Sequence, residues 1–174
     1  MTDRPWLQKY PEGISWNADI PRRPLYALVD DAAARFPNKP AIDFLGRTYT
    51  FAELKALTDR AAAGFRALGV TKGTKVGLFL PNCPQFVISY FAILKAGGTV
   101  VNYSPLYSEP ELRHQIEDSG TEIMVTLNLQ ILYPKMQSLL GKTKLRHLVV
   151  GTMSEVLPFP KGLLFPLVRR KDIA

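Results

Sequence analysis

Short, uninterrupted apolar runs recur along the chain and alternate with longer segments of helical periodicity. The runs are VGLFL at 76–80, TVV at 99–101, IMV at 123–125 and HLVV at 147–150, and their centres lie about 23 residues apart. That spacing fits a strand followed by a helix, and runs without alternation are typical of strands buried on both faces. The pattern predicts a three-layer, doubly wound α/β fold with a mostly parallel sheet.

Two further elements precede this rhythm. Apolar residues recur at helical spacing from Leu25 to Phe36, and Pro37 ends the predicted helix. The segment AIDFLGRTYTF at 41–51 alternates between apolar and polar residues around Gly46, which predicts a short hairpin.

Three of the predicted helices share the same start and stop signals. Each begins with a capping box, in which a small polar residue and a Glu or Gln three positions later satisfy free backbone N–H groups. Each ends on a glycine, which accepts the left-handed conformation. A further helix is predicted around 129–140. The capping boxes are Thr50–Glu53, Asn82–Gln85 and Ser108–Glu111, and the glycines are Gly69, Gly97 and Gly120.

The chain divides into three regions. Residues 1–24 are rich in proline and predict an extended N-terminal arm, whose aromatic side chains we expect to dock on the body. Residues 25–150 form the predicted α/β subdomain. Residues 151–174 form a basic apolar tail in which the alternation of strands and helices stops. The tail ends without a predicted cap or closing strand, as expected for the start of a connecting segment that is truncated.

Charge is concentrated in the last part of the chain. The net charge is +7, and residues 135–174 hold 8 Lys/Arg against 2 Asp/Glu, a balance of +6. The nearly neutral body argues against a nucleic-acid-binding surface. Residues 159–171 combine apolar side chains with cations, which suits contact with an anionic membrane surface. The same apolar groups could instead pack on other parts of a longer protein, and both interpretations stay open.

The compartment is predicted from cysteine use and hydropathy. The single cysteine, Cys83, excludes an internal disulfide and fits a reducing environment. The N-terminus has no apolar signal core, and no run reaches the roughly 18 apolar residues of a membrane span. We therefore expect a cytoplasmic protein, peripheral at the inner face of the cell membrane.

No catalytic, cofactor-binding or metal residue can be assigned from motifs. GVTKGTK at 69–75 and LLGKT at 139–143 imitate a phosphate loop, but they lie between a helix and the next strand. A phosphate loop must follow a strand and begin a helix. His114 and His147 lack metal-ligand spacing, and no GxSxG occurs. Asp30–Asp31 are expected to cap or solvate a helix. Asn102 to Tyr107 follow a strand and could shape the wall of a ligand site.

Several ordered segments resemble one enzyme family. YTFAEL at 49–54 and LKAG at 94–97 look like two core motifs of the AMP-forming acyl-CoA synthetases of the adenylate-forming superfamily. The loop NYSPLY, the later DSG and the start WLQKYPEGI are similar to bacterial long-chain fatty-acid–CoA ligases. Ser104–Pro105 replaces that subclass's Asn-Pro. The resemblance runs over residues 6–150 and implies the N-terminal part of a large AMP-binding domain.

The resemblance implies a two-step reaction with ATP, Mg²⁺ and CoA. A fatty acid attacks the α-phosphate of ATP to give acyl-adenylate and pyrophosphate, and the CoA thiol then displaces AMP. The family's Thr/Ser/Gly-rich loop, Tyr-Gly-x-Thr-Glu segment, ribose-binding Asp and C-terminal Lys do not occur here. No catalytic residue is therefore carried over, the chain alone is expected to be inactive, and a homodimer is a further expectation.

Two other functions are alternatives to the interpretation of the chain as a scaffold part of a ligase. The first is a membrane-surface or partner-binding module that uses the basic tail. The second is an unrelated nucleotide-binding α/β domain, which the wrong order of the glycine loops disfavours.

Overall fold

The computed structural model of the chain describes residues 4–174. Within them lie six α-helices and six β-strands. The first five helices and all six strands follow the predicted order, whereas the sixth helix lies in the tail, where no helix was predicted. The helices are α1 Ala27–Arg35, α2 Phe51–Ala67, α3 Pro84–Ala96, α4 Glu109–Ser119, α5 Tyr133–Leu139 and α6 Lys161–Val168. The strands are β1 Pro40–Phe44, β2 Arg47–Thr50, β3 Lys75–Phe79, β4 Thr99–Tyr103, β5 Ile123–Leu127 and β6 His147–Gly151.

The core is a parallel sheet with the strand order β4-β3-β5-β6. The chain moves one way from β3 to β4 and then crosses back to β5. Because parallel crossovers are right-handed, this reversal places α3 and α4 on opposite faces. Helix α2 packs on α3 and α4 packs on α5, so both faces of the sheet are covered. All five residues of β5 are buried. The predicted three-layer, doubly wound fold is confirmed.

A separate two-stranded antiparallel hairpin joins β1 and β2, as predicted. Its turn places Leu45 at φ 53° and Gly46 at φ 94°. Two successive residues with positive φ give a turn whose twist matches the twist of the strands. Glycine adopts this conformation without strain, which explains its position here.

Two of the three predicted capping boxes are confirmed. The Thr50 N–H donates to Glu53 Oε2 at 2.8 Å, and the Glu53 N–H donates to Thr50 Oγ1 at 3.2 Å. The Ser108 N–H donates to Glu111 Oε2 at 2.8 Å. All three predicted terminal glycines have positive φ, and Gly97 at 95° is the left-handed cap of α3.

The prediction of a third capping box, Asn82–Gln85, was wrong. Helix α3 is capped by Cys83 and begins at Pro84, one residue later than predicted. Proline suits the first helical position because its fixed φ is helical and it needs no N–H partner there. The Gln85 side chain instead donates to the backbone oxygen of Thr152 at 2.9 Å.

The arm differs from its prediction. A 3-10 helix spans Pro5–Lys9, and residues 4–24 are all exposed; residues 1–3 of the predicted arm lie outside the described residues. Trp16 packs against Trp6 at 6.1 Å and Tyr10 at 5.5 Å between ring centroids. These three rings stay 40–48% exposed. The aromatics therefore form a cluster among themselves and are not buried in the core.

The tail also folds back, contrary to the expected open end. Ile173 forms an antiparallel bridge with Leu129, and the Ala174 N–H donates to Asn128 O at 3.0 Å. The Gln130 N–H donates to Asp172 O at 2.9 Å. These backbone bonds add a short closing segment beside the chain that leaves β5. Backbone pairing of this kind leaves no sequence pattern, which is why the sequence did not predict it.

Candidate functional site

The carboxyl ends of the four parallel strands meet at one edge of the sheet. The strand order reverses between β3 and β5, and open α/β sheets bind ligands at such a switch point. The loops that follow the strands lie along this edge. They comprise residues 80–83, 104–108, 128–132 and 152–153.

The loop after β4, predicted as a candidate wall, is held by side chains from two helices. Lys135 Nζ donates to Tyr107 O at 2.8 Å, and Gln115 Nε2 donates to Asn102 O at 3.0 Å. Leu106 stands at the tip and is 91% exposed. The loop is therefore a fixed apolar ridge, and its backbone carbonyls are already engaged at both ends.

Beneath that loop, Tyr103 ties β4 to the end of α4. Its hydroxyl donates to Thr121 Oγ1 at 2.8 Å and lies 3.1 Å from Ser119 Oγ. Burial raises the pKa of Tyr103, although the hydrogen bonds to Ser119 and Thr121 act in the opposite direction. Tyr103 therefore stays a neutral phenol that fixes the strand.

Side-chain amides occupy the other half of the edge. Gln85 Oε1 and Asn128 Oδ1 are buried acceptors that have no hydrogen-bond partner among residues 4–174. The Asn128 N–H donates to Gly151 O at 3.0 Å, which joins β5 to β6 past the sheet. These oxygens can accept hydrogen bonds from a polar group, but they carry no charge for acid–base work.

The start of α3 lies at the switch point but offers little to an anion. Pro84 has no N–H, and the Phe86 N–H already donates to Cys83 O at 3.0 Å. Cys83 is 5% exposed, and burial raises the pKa of its thiol. Helix N-termini bind phosphate through free N–H groups, so this terminus is not a phosphate cradle. The thiol is protonated near neutral pH and is a poor nucleophile.

A cleft of 490 Å³ lies between the loop after β5 and the tail. Two cations line it, Lys171 and Arg169, and Arg169 is paired through Nε with Asp172 Oδ2 at 2.5 Å. The walls are otherwise mostly apolar. The cleft is lined by Leu129, Gln130, Ile131, Met153, Phe165, Arg169, Lys171 and Asp172.

The other residues that the sequence offered as candidates for a functional site lie far apart in the fold. Gly73 and Gly141, from the two imitation phosphate loops, lie before β3 and β6 at the amino edge. His147 begins β6 at that edge, and His114 is exposed on α4. Within residues 4–174 no group of three or more His, Cys, Asp or Glu side chains could hold a metal ion. The structure does not bring these candidates together.

The LKAG motif forms a charged clamp at the far edge. Lys95 Nζ lies 2.6 Å from both Asp30 Oδ1 and Asp59 Oδ1, and Lys55 lies 2.6 Å from Asp59 Oδ2. The clamp, defined as Asp30, Lys55, Asp59 and Lys95, joins α1, α2 and α3. Asp30 is thus an inter-helix ion pair and not a solvated cap as expected, while Asp31 pairs with Arg23 at 2.6 Å.

The pKa values in the clamp follow from its hydrogen bonds. Partial burial alone would lower the pKa of Lys95, but the bonds to Asp30 and Asp59 outweigh it and raise the pKa. Partial burial alone would raise the pKa of Asp59, but Lys55 and Lys95 hold it below the ordinary value. Both groups are therefore charged across the neutral range, which suits a structural role.

The YTFAEL motif is equally structural. Tyr49 and Leu54 are each 4% exposed in the core, and Thr50 with Glu53 caps α2. Together the two motifs position helices around the sheet. These buried and paired side chains show that both motifs stabilise the fold in this structure.

Comparison with known proteins establishes the family. Residues 29–170 match the family described as AMP-binding enzyme, so the chain belongs to that family of enzymes. It is 38% identical, over 99% of its length, to a long-chain-fatty-acid–CoA ligase of Bacillus subtilis, and covers 30% of that relative. It is 34% identical to the corresponding ligase of Yersinia pestis, over 95% of this chain and 30% of the relative. The resemblance predicted from the motifs is confirmed.

Solved structures agree with the family. A long-chain-fatty-acid–CoA ligase from Archaeoglobus fulgidus matches 80% of this chain and 30% of its own with a TM-score of 0.71 and 29% identity. An anthranilate CoA ligase matches 85% of this chain and 27% of its own with a TM-score of 0.68 and, at 23% identity, shows the shared fold alone. The chain spans about 30% of the length of the curated relatives it matches.

Proposed function

We propose that this chain is a scaffold part of a long-chain fatty-acid–CoA ligase. The observation that supports this proposal is the 38% identity to the Bacillus subtilis ligase over 99% of the chain, together with motif residues that are buried or paired. The overall reaction would join a fatty acid to CoA, with ATP cleaved to AMP and pyrophosphate.

The residues of this chain do not fit a nucleotide site of their own. Near the switch point, Gln85 and Asn128 present buried acceptor oxygens, which repel the oxygens of a phosphate. Lys135 is engaged by Tyr107 O, and Arg169 is paired with Asp172. ATP, Mg²⁺ and CoA would therefore be held by other parts of a ligase, and no chemical step is assigned here.

What this chain would contribute is position. The ridge Ser104 to Tyr107 and the amides Gln85 and Asn128 lie at the edge where ligands of open α/β sheets bind. The clamp and the helix caps hold the helices that pack around the sheet. Positioning of this kind lowers the entropic cost of bringing the substrates together, and it needs no charged group of its own.

The alternative function, a membrane-surface or partner-binding module, rests on the tail. Residues 25–150 match the ligases throughout, and a membrane-surface module would leave the role of these residues unexplained. We therefore propose membrane contact as an addition to the ligase function, with the protein working in the cytoplasm at the inner face of the membrane.

A chimera tests the ligase function directly. The matching 30% of the Bacillus subtilis ligase is replaced by this chain, and acid-dependent exchange of pyrophosphate into ATP is measured. We expect acid-dependent exchange with long-chain fatty acids within about tenfold of the parent, which corresponds to a rise of about 1.4 kcal/mol or less in the activation barrier. A folded chimera without acid-dependent exchange contradicts the proposal.

A further inference from the structure

The cleft between the loop after β5 and the tail has the form of a small-molecule site. Leu129 and Met153 line it and also pack against the core, so they form its inner side. Ile131, which is 68% exposed, and Phe165 of α6 complete its apolar lining. The volume of 490 Å³ lies within the range of about 300–1,000 Å³ that is usual for ligand sites. We call this site the tail cleft.

Hydrogen bonds hold the tail beside the loop that follows β5. The Gln130 N–H donates to Asp172 O at 2.9 Å, and Gln130 Nε2 donates to Ile173 O at 3.0 Å. The Asp172 N–H in turn donates to Arg169 O at 2.9 Å. One side of the tail cleft is therefore formed before any ligand binds, which lowers the ordering cost of binding.

Helix α6 supplies Phe165 to the tail cleft and is itself seated on the body. A Cβ at Gly162 would lie 2.6 Å from Ser154 O, so glycine permits a close approach to the segment that follows β6. Like the other helices of residues 4–174, α6 lacks the length and apolar character needed to cross a membrane. Its close packing fixes the position of the Phe165 ring relative to Met153.

The tail cleft has one positive charge in excess. Its charged lining groups are two cations and one carboxylate, namely Arg169, Lys171 and Asp172. Arg169 pairs with Asp172, whereas no ion pair within residues 4–174 includes Lys171. An apolar cleft beside an unpaired ammonium group complements a ligand that has an apolar body and a negative head group.

The same three side chains indicate the kind of head group. The Nε edge of Arg169 is occupied by the Asp172 carboxylate, which limits the bidentate contact that phosphate favours. Asp172 would also repel a second negative charge on the ligand. Lys171 is a single point charge, so it suits a head group with one negative charge, such as a carboxylate.

We propose that the tail cleft binds a fatty acid. The carboxylate lies at Lys171, and the alkyl chain lies against Ile131, Met153 and Phe165. The site would collect the acid at the edge where ligands of open α/β sheets bind. That role rests on the proposed ligase function, whereas binding to the isolated chain does not.

Isothermal titration calorimetry of the 174-residue chain with decanoate tests the ligand class. We expect saturable binding of a single decanoate per chain. Decanol has the same alkyl chain without the charge and should bind about fivefold more weakly, the effect of one exposed ion pair. Decyl phosphate should bind no more tightly than decanoate. Laurate, with two more methylenes, should bind roughly tenfold more tightly because more of its chain is buried.

A matched pair of charge variants tests the position of the carboxylate. Lys171→Gln should weaken decanoate binding about fivefold and leave decanol binding unchanged. Lys161→Gln removes the same charge from another exposed position of the tail. This control should weaken decanoate binding less than about twofold, because salt screens a charge that lies outside the cleft.

A matched pair of apolar variants tests the position of the alkyl chain. Ile131→Ser should weaken the binding of both decanoate and decanol roughly fivefold or more, because apolar contact area is lost. Ile20→Ser alters a side chain of the arm that is 81% exposed, and it should bind both ligands like the parent. Circular dichroism melts confirm that the variants are folded.

Methionine methyl signals locate the ligand without any substitution. In a chain with ¹³C-labelled methionine methyl groups, decanoate should shift the signal of Met153, which lines the tail cleft. Met124 and Met136 are fully buried in the core and should not shift. Their signals therefore report whether the ligand disturbs the fold.

Four outcomes would overturn the proposal. They are the absence of saturable decanoate binding, equal affinity for decanoate and decanol, equal losses in Lys171→Gln and Lys161→Gln, and binding that leaves the Met153 signal unmoved. A dimer that Ile131→Ser abolishes, in a chain that binds no decanoate, would assign the cleft to a second copy. Each of these outcomes leaves the ligase function untouched, because the chimera tests that function separately by pyrophosphate exchange.

Discussion

The clamp leads to a specific prediction about the stability of the fold. Lys95→Met keeps the length and apolar stem of the side chain but removes the charge that joins α1, α2 and α3. Asp59 keeps Lys55 at 2.6 Å, whereas Asp30 is left with Lys55 at 3.8 Å. The variant therefore leaves one partly buried carboxylate weakly paired.

The magnitude follows from the exposure of the clamp. Exposed ion pairs contribute about 0–1 kcal/mol, while breaking a buried pair costs about 3–5 kcal/mol. The Lys95 side chain is 22% exposed and its partners are 31% and 38% exposed. We expect an intermediate loss of about 2 kcal/mol in the free energy of unfolding, or about 6 °C in the melting temperature of a domain of this size.

Urea denaturation measures the change, with Arg23→Met as the matched control. Arg23 also pairs with an aspartate at 2.6 Å, but the two side chains are 52% and 45% exposed, so we expect a clearly smaller loss than for Lys95→Met. An equal loss in the two variants would show that the partial burial of the clamp does not strengthen its ion pairs. A changed denaturant slope without a shift in midpoint would also contradict the prediction, because the clamp links folded helices and should not alter the unfolded state.

The clamp should also depend on pH in a defined direction. The pKa of Asp59 lies below its ordinary 3.8 in the folded state, so its contribution is present above that value and is lost as the pH falls through the folded pKa. The pKa of Lys95 lies above its ordinary 10.5, so its contribution is present below that value and is lost as the pH rises through the folded pKa. The difference between parent and Lys95→Met should be constant near neutral pH and shrink at both extremes. A difference that varies between pH 5 and 9 would contradict these assignments.

Further predictions concern the turn, the cap and the isolated chain. Gly98→Ala should cost about 1–3 kcal/mol, because its Cβ would lie 2.8 Å from Val70 Cγ1 and 3.0 Å from Ile93 Cγ2. Gly64→Ala, at an open position in α2, should instead stabilise by about 0.5–1 kcal/mol, and thermal melts that rank the two variants in the reverse order would be inconsistent with the packing. Thr50→Ala should cost about 1 kcal/mol in urea denaturation, because the Glu53 N–H loses its acceptor; an unchanged midpoint would show that the cap is dispensable. The isolated chain should show no acid-dependent exchange of pyrophosphate into ATP, and measurable exchange would contradict its role as scaffold.

The sequence predicted the elements well wherever local chemistry decides them. The apolar runs predicted four strands of the parallel sheet, and the pairs Thr50–Glu53 and Ser108–Glu111 marked the starts of α2 and α4. Periodicity and capping depend on neighbours within a few residues. Asn82–Gln85 followed the same pattern and failed, because Pro84 moved the start of the helix to a proline-compatible position.

The contacts that shape the candidate site could not be predicted in the same way. Gln85 reaches Thr152, and Asn128 meets Ala174, across 67 and 46 residues of chain. Such contacts arise only after the sheet has brought distant loops to one edge. The clamp is a similar case, since Asp30 and Lys95 are 65 residues apart. A charged lysine inside LKAG was visible in the sequence, but its partners were not.

We infer that the family's motifs in this chain stabilise the fold and take no part in the reaction. Lys95→Met in the Bacillus subtilis chimera tests it, with acid-dependent exchange per folded molecule and melting temperature measured on the same sample. We expect a melting temperature lower by several degrees and exchange at 25 °C within about twofold of the parent chimera, which corresponds to a change of less than about 0.4 kcal/mol in the activation barrier. An unchanged melting temperature with exchange lost by a hundredfold or more would show that Lys95 serves the reaction itself.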